Sequence, residues 1–98
     1  MASPDTYPYS ATAMPHVTIY IKTYCPFCYQ AKALLDRKGV KYEEIDVTHD
    51  PVRETEMQTR SGRDTVPQIF IGLHHVGGCD DLHDAESSGE LDRLLASS

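Results

Sequence analysis

Apolar and polar positions alternate along Val17-Thr18-Ile19-Tyr20-Ile21, and the segment is rich in β-branched residues. That pattern predicts a strand. The period then changes. Phe27, Ala31, Leu34 and Leu35 share one face of a helix running from Phe27 to Lys38, with Pro26 suited to its first position and Gly39 to its end. Val40 to Val47 alternates again and predicts a second strand. Strand, helix and strand over so short a stretch form a βαβ unit, whose strands are parallel. Asp50 and Pro51 have the chemistry of a helix cap and first turn, and that helix passes through Met57 to Ser61 before Gly62 ends it. Arg63-Asp64-Thr65 reads as a connecting loop. Val66 to Ile71 reads as a third strand, with Pro67 near its start where a missing N–H is tolerable.

Gly72-Leu73-His74-His75 has the look of a hairpin turn, followed by a very short strand around Val76. Gly77-Gly78 leads into a last helical region, Cys79–Ser87 and then Glu90–Ala96, broken at Ser88-Gly89, with Leu91, Leu94 and Leu95 inward. The histidines at 74 and 75 read as solvated turn residues, and His16, His49 and His83 as surface. The predicted order is β-α-β-α-β-β-α, an α/β fold with one mixed four-stranded sheet and helices on both faces.

Composition narrows the possibilities. A chain of 98 residues is one small domain, and 40% hydrophobic with 24% charged residues is ordinary for a globular protein. The net charge of −6 argues against a nucleic-acid partner held by bulk charge. No apolar run is long enough to span a bilayer, so no membrane partner is expected. Residues 1–13 are rich in Ser, Pro, Thr and Tyr, without an apolar period or a basic start. They read as a disordered extension or an expression remnant, and 14–98 as the folded domain.

Cysteine usage is the sharpest signal. Three cysteines cannot all pair, so a structural disulfide framework is not expected, and a reducing cytoplasmic compartment is. Cys25-Pro26-Phe27-Cys28 opens a helix directly after a strand. Cys25 falls in the cap position, its sulfur near the N–H groups of Phe27 and Cys28. Those donors and the helix dipole favour negative charge there, and the thiolate is the attacking form of cysteine. Cys28, one turn in, suits a resolving thiol. The competing reading is half of a zinc site, completed by Cys79, His74, His75 or His83. Proline within the pair and the helix starting on it favour redox chemistry, so no metal is expected. Cys79 reads as a small buried residue rather than a regulatory thiol.

Cys25-Pro26-Phe27-Cys28, Thr65-Val66-Pro67 and Gly77-Gly78-Cys79-Asp80-Asp81, in this order and spacing, resemble the glutaredoxins, and the short bacterial dithiol class in particular. The likeness covers about residues 15–96. It departs at Phe27, where the family commonly has tyrosine; an altered redox tuning or substrate contact is expected from the lost hydroxyl. The resemblance implies a thioredoxin fold, a cis Val66-Pro67 bond, and a glutathione-dependent thiol–disulfide oxidoreductase with catalytic Cys25 and Cys28. Glutathione is the implied co-substrate, and disulfide-bonded or glutathionylated proteins are the implied partners of a monomer. The implied glutathione-binding residues are Lys22, Cys25, Phe27, Thr65, Val66, Pro67, Gly78, Cys79 and Asp80. Lys22 would meet a carboxylate. Thr65 and Val66 would offer main-chain groups. The helix start at Gly78 to Asp80 would hold the γ-glutamyl carboxylate, with Asp80 on its amine. Arg53 and Arg60 are candidates for the other carboxylate. Tyr24 has two readings, packing residue or wall of the site. The alternatives are a thioredoxin-like reductant recycled by a flavoprotein reductase and an iron–sulfur cluster carrier.

Overall fold

A computed structural model describes residues 15–96. The segment 1–13 read as an extension lies outside the described residues. The elements run β1 (Val17–Ile21), α1 (Pro26–Arg37), β2 (Glu43–Asp46), α2 (Pro51–Ser61), β3 (Gln68–Ile71), β4 (His74–Gly77), α3 (Cys79–Ser88) and α4 (Glu90–Ala96). The sheet order is β2-β1-β3-β4. β1 lies parallel to β2 and antiparallel to β3, and β3 pairs antiparallel with β4 through an irregularity at Ile69/Phe70.

Alternation along the central strands feeds two cores. On one face Val17, Ile19, Ile21, Ile69 and Ile71 pack with Ala31, Leu34 and Leu35 of α1, Leu82 and Ala85 of α3, and Leu91 and Leu95 of α4. On the other, Tyr20 and Phe70 pack with Val47 and with Met57 of α2. β1 is buried along its whole length because both faces are covered. The helix signals act as read: Asp50 accepts the Arg53 N–H at 3.0 Å, and Gly62 ends α2 in the left-handed region at φ 71°.

The structure departs from the sequence pattern in places. β2 is shorter than the alternating run, Glu43–Asp46 instead of 40–47, although Val40 and Val47 at its ends are buried. β3 starts at Gln68, after Pro67. The β3–β4 turn needs only Gly72 and Leu73, with Gly72 at φ 60°. His74 and His75 therefore belong to β4, and His75 stands opposite Phe70 with the rings stacked at 4.8 Å. The terminal region breaks at Gly89, φ 83°, where the sequence reading put the break, so only the single last helix of the predicted order is replaced, by α3 and α4.

Phe27 is the instructive miss on α1. It fits the apolar stripe by number, yet it is 57% exposed, and Cys28 takes the inward position beside Ala31 and Leu35. The Phe27 ring lines a surface groove and not the core, so helical spacing alone misplaces it. Replacing the fully buried Leu35 by alanine should remove about 2–5 kcal/mol from the unfolding free energy. Phe27→Ala, at the exposed position, should change it by about 0.5 kcal/mol or less. Urea titration of both variants checks the assignment.

Candidate active site

Cys25 stands where β1 hands over to α1. It is the N-cap residue, extended at φ −112° and ψ 101°, and its Sγ accepts the Cys28 N–H at 3.1 Å. The approach to it is pinned. Thr23 N–H donates to Thr48 Oγ1 at 2.8 Å, and the Thr48 hydroxyl and N–H both donate to Asp46, at 2.6 and 2.9 Å. Those donors hold the Asp46 carboxyl below its ordinary range, although Asp46 is exposed. Tyr24 sits in the left-handed region at φ 59° with its ring 91% exposed. A tyrosine tolerates that backbone only when the flanking contacts enforce it. The ring does not pack, against the first of its two readings, and Tyr24 is not among the residues that line the groove beside Cys25.

The two thiols differ in environment. Cys25 is half-buried, with Sγ 3.9 Å from the Val66 carbonyl oxygen. Cys28 is buried, and its thiol is pushed up to about 12, first by burial and then by its hydrogen bond with Cys25. At neutral pH Cys28 therefore stays protonated, and its N–H is aimed at the Cys25 sulfur.

Beside Cys25 lies an open groove of about 190 Å³, lined by Phe27, Arg63, Thr65, Val66, Pro67, Gly78, Cys79, Asp80 and Asp81. The Val66-Pro67 bond is cis. A larger hollow of about 500 Å³ lies at the start of β1, lined by Pro15, His16, Val17, Gly39, Lys41, Tyr42 and Glu43, none of them a thiol. Chemistry, not size, singles out the smaller one.

The groove gathers Phe27, Thr65, Val66, Pro67, Gly78, Cys79 and Asp80, but not every cation named from the sequence. Lys22 Nζ is engaged 2.8 Å from Glu54 of α2. Arg53 pairs with Glu56 at 3.1 Å, and Arg60 donates to the Tyr20 hydroxyl at 2.7 Å and lies 4.1 Å over the Phe70 ring. Neither arginine lines the groove. The arginine that does is Arg63, which was read only as part of a loop.

Asp81 is the second residue that sequence reasoning missed: the sequence offers it only as the last residue of the Gly77-Gly78-Cys79-Asp80-Asp81 motif. Its Oδ2 accepts the Gly78 N–H at 2.9 Å and the Arg63 guanidinium at 2.9 Å. A side chain at Gly77, φ 120°, would put its Cβ 2.3 Å from that oxygen. The signal was present: a carboxylate at the third helical position reaches back to the cap N–H. Cys79 is buried and its thiol is pushed up, mainly by burial. His83, expected at the surface, is half-buried, with Nδ1 2.9 Å from the Cys79 carbonyl oxygen and 3.5 Å from its sulfur.

Comparison with known proteins shows likeness along most of the chain. The glutaredoxin family model matches residues 17–76. Glutaredoxin 3 of Escherichia coli strain K12 is 51% identical over 82 residues, spanning 84% of this chain and 99% of that one. A glutaredoxin of Pseudomonas aeruginosa is 52% identical over 83 residues, 85% of this chain and 99% of its own. The solution structure of glutaredoxin from Brucella melitensis superposes with a TM-score of 0.78 at 54% identity, covering 89% and 95% of the two chains. The crystal structure of a buckwheat glutaredoxin–glutathione complex superposes with a TM-score of 0.75 at 32% identity, covering 84% and 76%. The fold is thus the thioredoxin-like glutaredoxin fold.

The Asp81 contacts set a pH dependence. The Gly78 N–H, and after it Arg63, hold this carboxyl below its ordinary range, so the folded state favours the ionised form. The stabilisation is therefore complete above the unfolded value of about 3.9 and is lost as pH falls through the lower folded value. Asp81→Asn should unfold at lower urea than wild type at pH 7, and the gap should close as both are titrated below about pH 4. A gap that persists unchanged at pH 2 would show that the carboxylate's charge contributes nothing.

Proposed function

Because the chain belongs to the glutaredoxin family, whose members are glutathione-dependent thiol–disulfide oxidoreductases, we propose that Cys25 is its nucleophile, Cys28 its resolving thiol, and the groove beside them its glutathione site. The observation that carries this reading is the asymmetry of the pair. Cys25 Sγ takes the Cys28 N–H at the helix start and borders the groove, while Cys28 is held as a buried thiol.

The Cys25 thiolate attacks the glutathionyl sulfur of a protein–glutathione mixed disulfide. The bond between that sulfur and the protein sulfur breaks, and the protein leaves as a thiolate that takes a proton from water. A second glutathione thiolate then attacks the glutathionyl sulfur on Cys25, releasing glutathione disulfide and regenerating the Cys25 thiolate. With a protein disulfide, Cys25 first forms a mixed disulfide with the client. Cys28 loses its proton as it attacks Cys25 Sγ, the client leaves reduced, and two glutathiones later reopen the Cys25–Cys28 bridge. A buried neutral Cys28 waits through the first route and acts in the second.

The groove chemistry fits glutathione. Its extended backbone can pair with main-chain groups of Thr65 and Val66. The first turn of α3 presents N–H groups to a carboxylate, and exposed Asp80 is placed for the ammonium. Arg63, half-exposed on the groove wall, replaces Arg53 and Arg60 as the cation for the other carboxylate. Lys22 supplies rim charge when it exchanges Glu54 for a ligand. Exposed Tyr24 and Phe27 offer apolar surface to disulfide-bonded or glutathionylated client proteins. The working state expected on this reading is a monomer. No described helix is long and apolar enough to cross a membrane. The odd cysteine count supports a reducing cytoplasm as the place of work.

In glutathione-coupled reduction of a glutathionylated peptide, Cys25→Ser should be inactive, while Cys28→Ser should keep turning over. The same peptide should show a KM raised about ten- to a hundredfold by Arg63→Gln or Asp80→Asn, the range of one charge-assisted hydrogen bond. An active Cys25→Ser enzyme would overturn the assignment of the nucleophile.

A further inference from the structure

Thr65, on the groove wall, is held from behind by a fully buried polar side chain. Gln68 has no exposed surface, and its Nε2 donates to the Thr65 carbonyl oxygen at 3.1 Å and reaches the Thr65 hydroxyl at 3.2 Å. Its other amide atom, Oε1, lies 2.7 Å from Nε2 of His75. His75 is the β4 residue paired with Phe70 and stacked on it.

The orientation of this chain follows from elementary donor–acceptor chemistry. A backbone carbonyl can only accept, so the Gln68 nitrogen must face Thr65. Its oxygen must then face His75, and only a protonated Nε2 can donate to it. The histidine is therefore an Nε2–H tautomer. Protonation of Nδ1 leaves that donor in place, so the link survives the titration of the ring. The groups facing His75 are the Gln68 amide and the Phe70 ring, with the charges of Arg63, Asp81, His74 and Arg60 around it. Burial, as the largest cause, holds the ring below its ordinary range, so it stays neutral at pH 7.

We propose that Gln68, oriented by His75, is a positioning residue that pre-sets Thr65 for glutathione. The inference rests on the reading of the groove as the glutathione site. A buried amide without partners is costly, whereas an apolar residue fits such a place at no hydrogen-bonding cost. A glutamine here, satisfied at both ends, holds the carbonyl of a residue that lies in neither a helix nor a strand. Loss of the hold lets Thr65 reorient. Binding of glutathione then has to restore the order, which raises KM and leaves the sulfur chemistry at Cys25 untouched.

The test is steady-state kinetics with a glutathionylated peptide and with the same peptide carrying a mercaptoethanol mixed disulfide. Alkylation of Cys25 by iodoacetamide runs beside it as a readout blind to the groove. Gln68→Met should raise KM for the glutathionylated peptide about three- to tenfold, the weight of one neutral hydrogen bond, with kcat and the alkylation rate unchanged. Because Gln68 is buried, the exposed end of the chain provides a second arm. His75→Phe keeps the stack on Phe70 and removes the donor, so KM should rise. His75→Gln keeps a donor and removes the stack, so KM should stay near wild type. The wild-type KM should also show no break through the histidine range.

An unchanged KM in Gln68→Met and His75→Phe overturns the proposal. So does a fall in kcat and alkylation rate together, which marks a merely structural role. If wild type does not prefer the glutathionylated peptide over the mercaptoethanol one, the groove reading itself fails. If it does and the variants keep that preference in full, only the positioning role fails.

Discussion

The geometry of this protein turns on one hydrogen bond, from the Cys28 N–H to the sulfur of Cys25. A helix start leaves backbone donors without partners, and here one of them is turned on a sulfur. The bond requires that Cys25 end the loop in an extended conformation and that the helix begin at the next residue. Pro26 meets the second demand, since the first helical position needs no N–H. The first is met from outside the motif, by Thr23 on Thr48, Thr48 on Asp46, and Tyr24 in the left-handed region. The parallel pairing of β1 with β2 brings Asp46 opposite Ile21, so the reactive cap depends on sheet register.

The groove repeats that design with different parts. Its walls come from loops and helix starts, which carry few backbone hydrogen bonds of their own, and each is tied by a side chain. Asp81 ties the turn at Gly78 to Arg63. Gln68 ties Thr65 to the sheet. Both cores lie beneath and supply rigidity, while the ties supply direction. This division explains why polar residues occur where burial alone would favour apolar ones.

Much of this was legible in the sequence, for identifiable reasons. Alternation in β1, the Asp50-Pro51 and Gly62 signals of α2, and the Cys25-Pro26 junction are local chemistry, and the structure agrees with each. The departures arise where distance along the chain hides a partner. Phe27 obeys helical spacing, but Cys28 of the same turn takes the core position and the Phe27 ring faces the groove. His74 and His75 resemble turn residues until Phe70 is seen beside His75. Arg53 and Arg60 were reasonable cations by position, yet Glu56, Tyr20 and Phe70 occupy them. Arg63, in an unpatterned loop, was the one brought to the groove, and only the fold could place it opposite Asp81.

Charge makes the same point on a larger scale. The chain carries a net −6, and glutathione is itself an anion, so their long-range interaction is repulsive. At physiological ionic strength that repulsion is screened beyond about 8 Å. In the proposed glutathione site, selectivity would therefore fall to groups inside that distance: the N–H groups of α3, the guanidinium of Arg63 and the main chain at Thr65 and Val66. Arg63 cannot act as a free cation, because Asp81 already shares it; its remaining donors are what a ligand carboxylate would meet. A guanidinium serves both where an ammonium would have to choose. An acidic domain can in this way hold an anionic tripeptide. The attraction is local and directional, and it is set by side chains whose own positions are fixed by the sheet.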